Sequence, residues 1–152
     1  MLDGNGMFIW LVNRCENGDF DRIVQSCVSA GLSHVLIKVS NGTYGEENGP
    51  TSFLKPLFDK LKAANVQAWA WSYVYGYYPV EEAQIAAVRT RDLGATGFII
   101  DAESQYDAGG KTSQASAFMS TFRSILPDIG VGLSSYRYPS VHRGMPWRQF
   151  LE

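Results

Sequence analysis

The sequence predicts an α/β protein built on parallel strands, and three observations carry that expectation. Strand-like apolar runs begin near Met7, His34, Gln67, Gly97 and Gly130, spaced by about thirty residues. The stretch after each of the first four runs shows the apolar spacing of an amphipathic helix. Strand and helix alternating at this period are the pattern of right-handed βαβ units, which pair their strands in parallel.

The elements follow in order. Met7-Phe8-Ile9-Trp10-Leu11-Val12 is apolar throughout and reads as the first strand, and Phe20, Ile23, Val24, Cys27 and Val28 form the stripe of the first helix. His34 opens the second strand. Leu54, Leu57, Phe58 and Leu61 mark the second helix, with Thr51 or Ser52 as its cap and Pro56 tolerated near the first turn. Gln67 opens a third strand that is rich in aromatics. The third helix starts at Pro79, carries Glu81 and Glu82 in its positive first turn and stops at Gly94. Gly97-Phe98-Ile99-Ile100 leads a fourth strand into Asp101-Ala102-Glu103. Thr112 or Ser113 caps the fourth helix, Phe118, Phe122, Ile125 and Leu126 make its stripe, and Pro127 ends it. A fifth strand begins at Gly130, and Pro146-Trp147-Arg148-Gln149-Phe150 opens a further helix.

Five units fit two architectures: an open, doubly wound five-stranded sheet, or five of the eight units of a (β/α) barrel of TIM type. Strand chemistry favours the barrel. Strands covered by helices on both faces are almost wholly apolar, whereas Lys38 and Ser40 follow Leu36, and Asp101 and Glu103 follow Ile99, on alternate positions. The Asn13–Gly18 loop also lacks the Gly-rich phosphate cradle of a nucleotide-binding sheet. The 152 residues read as one domain, 1–152, and a barrel ordinarily needs about 250, so a truncated barrel is expected, with open edges that invite self-association or a complementing chain.

Composition excludes several classes. Thirteen basic and fifteen acidic residues nearly balance, with no charge run, so a nucleic-acid footprint is absent. No signal peptide is visible at the N-terminus, and no run approaches the roughly 20 apolar residues of a membrane helix, so no membrane partner is expected. Cellular location is not encoded in the pattern. Cys15 and Cys27 read as free thiols, and neither His34 nor His142 stands at a metal or triad spacing. No metal and no cofactor is expected.

The chemistry concentrates at Asp101 and Glu103. Side chains two apart share one face of a strand, and the C-terminal end of a parallel strand is where such folds place their sites. Two carboxyls in one cleft resist double ionisation, so one is held protonated toward the working pH and serves as an acid. Trp69, Trp71, Tyr73 and Tyr75 alternate along one face of the third strand, and the fifth strand ends in Tyr136-Arg137-Tyr138. Flat aromatic rings suit the apolar faces of sugars, which makes Trp71, Tyr73, Tyr75 and Tyr136 candidate binding residues beside Lys38 and Ser40.

These residues resemble the barrel glycosidases of glycoside hydrolase family 25, the lysozyme-like muramidases, and more loosely the family 18 chitinase group. His34-Val35-Leu36-Ile37-Lys38-Val39-Ser40-Asn41-Gly42-Thr43 is similar to that family's second strand and loop, and Leu61–Val66 with Trp69–Tyr73 to its second helix and third strand. Asp101-Ala102-Glu103 matches the fourth-strand signature. The resemblance implies hydrolysis of a polysaccharide or oligosaccharide, such as peptidoglycan or chitin, with Glu103 as general acid and Asp101 orienting the substrate or stabilising charge on the sugar. It departs from the family at the first strand, where an Asp is expected and none occurs. Retaining, inverting and substrate-assisted routes stay open, since carboxyl separation selects among them. A non-catalytic carbohydrate-binding or small-ligand-binding module is the alternative.

Overall fold

A computed structural model describes residues 2–152. Five parallel strands form one sheet: β1 (Gly6–Ile9), β2 (His34–Asn41), β3 (Gln67–Val74), β4 (Gly97–Ala102) and β5 (Gly130–Ser134). Their spatial order is their order in the chain, β1-β2-β3-β4-β5, and every neighbouring pair is parallel. The sheet is open, with β1 and β5 as its edges.

The connecting helices are α1 (Phe20–Ser29), α2 (Thr51–Ala63), α3 (Pro79–Leu93), the short α4 (Ser104–Asp107), α5 (Thr112–Ile125) and α6 (Trp147–Leu151). Consecutive long helices pack side by side. Their apolar stripes meet Val35, Ile37 and Val39 of β2, Ala68, Ala70 and Val74 of β3, and Phe98, Ile100 and Ala102 of β4, forming the main core. The opposite face carries a separate, smaller cluster of Leu36, Trp69, Trp71 and Ile99, with Tyr73 against it. Small residues on β4 and β5 admit the bulky indole: a Cβ on Gly97 would lie 2.2 Å from the Trp69 ring.

Local chemistry sets the helix ends. Asp19 caps α1 by accepting from the backbone N–H of Asp21 and Arg22 at 3.0 and 3.1 Å. Gly94 closes α3 in the left-handed region, φ +64°, as the sequence predicts. Two expected caps are corrected. Thr51 is already helical because the extended Pro50 offers its carbonyl to Phe53 and Leu54, and Thr112 is helical because Lys111 offers its own to Ala115. Neither helix has a side-chain cap. Val28 also leaves the predicted stripe, at 53% exposed, whereas Ile23 and Cys27 are buried.

Candidate functional site

β4 delivers its two acids to the helix-free face at the C-terminal end of the sheet. In register, Asp101 stands opposite Tyr73 of β3 and Ser134 of β5. A cavity of about 240 Å³ is lined by Trp10, Lys38, Trp71, Tyr73, Asp101 and Glu103. The structure therefore brings together both candidate acids and three of the expected binding residues, Lys38, Trp71 and Tyr73.

The two carboxyls differ in environment. Asp101 is half-buried, and Glu103, where the strand gives way to α4, is exposed. Burial foremost, then the neighbouring Glu103, pushes the Asp101 carboxyl up to about 6, while the Ser134 hydroxyl and the Lys38 ammonium pull the other way. The raised group is thus the one the resemblance casts as the charge stabiliser. Tyr73 feels the same surroundings: burial, then Glu103 and Asp101, raise its phenol, which donates to Gln105 Oε1 at 2.7 Å.

Lys38 is 3% exposed, and its Nζ stands 2.8 Å from Glu47 Oε2. The rings of Trp10 and Trp71 lie 4.9 and 5.0 Å from the ammonium. Trp71 is locked in turn, donating through Nε1 to the Ile9 carbonyl at 3.1 Å and meeting the Phe8 ring edge-on at 5.6 Å. It forms a wall of the site rather than a free platform. Trp10 is 61% exposed at the mouth. The loop that carries Glu47 is fastened by Asn48, whose Oδ1 accepts from Val12 N at 2.8 Å and whose Nδ2 donates to the Trp10 and Lys38 carbonyls at 2.6 and 3.1 Å.

Tyr75 borders the site without lining it. Its ring lies 4.9 Å from Tyr73 and stacks on Tyr77 at 5.8 Å, and its hydroxyl donates to Asn41 Oδ1 at 3.2 Å. The loop after β3 is held by Glu82, a buried carboxylate that accepts four backbone N–H groups, from Tyr75, Gly76, Tyr77 and Tyr78, at 2.9 to 3.2 Å. Lys111 seals the same loop, donating to the Gly76 carbonyl at 2.8 Å with its ammonium 4.8 Å from the Tyr77 ring.

Two expected binding residues lie elsewhere. A bulge between Lys38 and Ser40 shifts the register, so Ser40 pairs with Ser72 and its hydroxyl meets the Ser72 hydroxyl at 2.6 Å, fully buried. Asn41 takes the place opposite Tyr73 that plain alternation would deny it. Tyr136 packs toward the main core and stacks on His142 at 3.7 Å, while His142 Nδ1 meets Asp107 Oδ2 at 2.7 Å. The Cys15 thiol is pushed up by burial and by Glu16. Both cysteines are free. Sequence reading missed Trp10, Glu47 and Asn48; Trp10, as the last apolar ring of the first strand run, was the one available signal.

Fold and site together define an α/β protein with an asymmetric carboxyl pair at the C-terminal end of a parallel sheet. No family model matches the chain, and no curated protein matches its sequence. Among the described residues, no group of three or more His, Cys, Asp or Glu side chains is placed to hold a metal ion. No helix among them is long and apolar enough to cross a membrane.

Proposed function

We propose that this chain carries the acid pair of a glycoside hydrolase, similar to glycoside hydrolase family 25, that cleaves a polysaccharide such as peptidoglycan or chitin. The observation that carries the reading is the unequal pair itself: Asp101 half-buried and raised to about 6, Glu103 exposed beside it, both in one aromatic-walled cavity. Below about pH 6 the Asp101 carboxyl holds its proton. Asp101 then donates that proton to the departing glycosidic oxygen, Glu103 stabilises the positive charge that grows on the sugar, and a water adds to the anomeric carbon, its released proton returning to Asp101. The family resemblance implies the reverse division, with Glu103 as the acid; burial favours Asp101. The exposed Trp10 indole lines the cavity, where a sugar ring would lie.

The same reading assigns the five units to a (β/α) barrel of TIM type. Support comes from the sequential strand order, the helices on one face and the acids at the strand ends on the other. An open doubly wound sheet reverses its strand order and covers both faces. The edge of β1, where Met7, Phe8 and Trp10 are 37%, 49% and 61% exposed, is where self-association or a complementing chain would act.

The test is hydrolysis by the purified chain. Incubation with chitin oligosaccharides and with peptidoglycan is expected to release new reducing ends, and both Glu103→Gln and Asp101→Asn are expected to lose at least a hundredfold in rate while keeping their fold. Variants as active as the parent chain would remove the pair from catalysis. Oligosaccharide binding without any reducing-end release would make the site a non-cleaving glycan receptor.

A further inference from the structure

We infer that Glu47 is a positioning residue of the carboxyl site: it holds the Lys38 ammonium between the Trp10 and Trp71 rings and offsets its charge, so that Asp101 keeps its proton. The inference rests on the reading of Asp101 and Glu103 as an acid pair, and it concerns how that pair is tuned.

A buried ammonium is costly without a partner, and Lys38 is almost wholly removed from water. Glu47 supplies the partner. Its Oε2 stands 2.8 Å from Lys38 Nζ, and its Oε1 accepts from Trp10 Nε1 at 3.3 Å, so one carboxylate ties the lysine and one of its two flanking indoles together. Glu47 is no wandering surface acid, because its neighbour Asn48 is fixed by hydrogen bonds to Val12 N and the Trp10 carbonyl, just beyond β1, and to the Lys38 carbonyl within β2. The aromatic clamp then sets where the ammonium rests.

That position matters because Lys38 shares one cavity with Asp101 and Glu103. The groups that act on Asp101 are Glu103 from its own strand end, Lys38 from β2, Tyr73 from β3 and Ser134 from β5. Lys38 is the one cation among them. Released from Glu47, it would favour the Asp101 carboxylate more strongly, and the resting acid would lose its proton at lower pH. The Glu47 carboxylate never touches the reacting sugar. It works through the lysine.

The experiment is a carbon-detected NMR titration of the Asp101 side chain in the full chain. Glu47→Gln is expected to lower the Asp101 midpoint, and Lys38→Met to raise it, each on the order of half a pH unit. In the Lys38→Met background the effect of Glu47→Gln is expected to shrink, and Glu47→Asp is expected to restore most of the parent midpoint. If Glu47→Gln fails to fold, Trp10→Phe, which removes the indole donor to Glu47 while keeping an aromatic ring beside the Lys38 ammonium, reads a smaller shift in the same direction. An Asp101 midpoint that does not move in Glu47→Gln or Trp10→Phe, or that moves equally with and without Lys38, overturns the role of Glu47. A parent midpoint in the ordinary carboxyl range overturns the acid-pair reading instead, and the two failures are read from the same curves.

Discussion

Replacing Asp101 with Asn tests the electrostatics of the site through stability alone, without any substrate. The Asp101 carboxyl moves from 3.8 to about 6 on folding. The native chain therefore binds this proton more tightly than the unfolded chain, and stability falls as pH rises through the window from about 4 to about 6. A rise of that size corresponds to about 3 kcal/mol at full burial, and partial solvent contact reduces this to about 1–3 kcal/mol. Asn cannot ionise and escapes the loss. Asp101→Asn is thus expected to match the parent chain near pH 3.5 and to exceed it by about 1–3 kcal/mol at pH 7.5. Urea unfolding followed by far-UV circular dichroism at the two pH values measures the difference, provided the slope with denaturant is unchanged. An equal difference at both pH values, or a destabilised variant at pH 7.5, would refute the claim that burial holds a proton on Asp101.

Three further changes probe the frame around the site. Glu82→Gln is expected to cost about 2–4 kcal/mol in urea unfolding, because two of the four backbone donors at 2.9 to 3.2 Å would face an amide NH2 in place of an oxygen; a cost below about 0.5 kcal/mol would show that water satisfies the loop. Gly76→Ala is expected to cost about 2–4 kcal/mol, since Gly76 sits at φ +65° and a Cβ there would lie 2.7 Å from the Tyr106 ring. A neutral result in the same unfolding assay would mean that Tyr106 yields freely. Asn48→Ala is expected to lower the melting temperature by roughly 4–10 °C, because it strands the Val12 N–H in a buried setting and frees two carbonyls. An unchanged melting temperature would detach Asn48 from the support of the site.

The fold was legible wherever hydrophobic period alone decides structure. Leu54, Leu57, Phe58 and Leu61 are spaced for one helix face, and all four are fully buried. Asp101 was legible for the same reason: its even spacing from Ile99 put it on the face opposite the helices, and β4 is regular. Alternation failed at β2, where the bulge after Lys38 turns Ser40 into the core and brings Asn41 to the open face. A bulge leaves no mark on the polar and apolar pattern. Glu82 reads in the sequence as a first-turn acid favoured by the helix dipole, yet it also gathers four N–H groups of the preceding loop, a contact that depends on the path of Tyr75–Tyr78. Glu47 and Asn48 escaped notice because their roles arise from pairing across 9 and 36 residues, to Lys38 and Val12. Tyr136 leaves its expected place because the chain turns after β5, and its ring finds His142 instead of the carboxyls.

The pH dependence of kcat/KM on a chitin or peptidoglycan oligosaccharide tests the central claim most directly, because it reads the proton that Asp101 is assigned to donate. Activity is expected to decline as pH rises through about 6, tenfold per pH unit at the limit, following the Asp101 carboxyl. A rate that stays level from pH 5 to about pH 8 would contradict a carboxyl acid with that proton affinity.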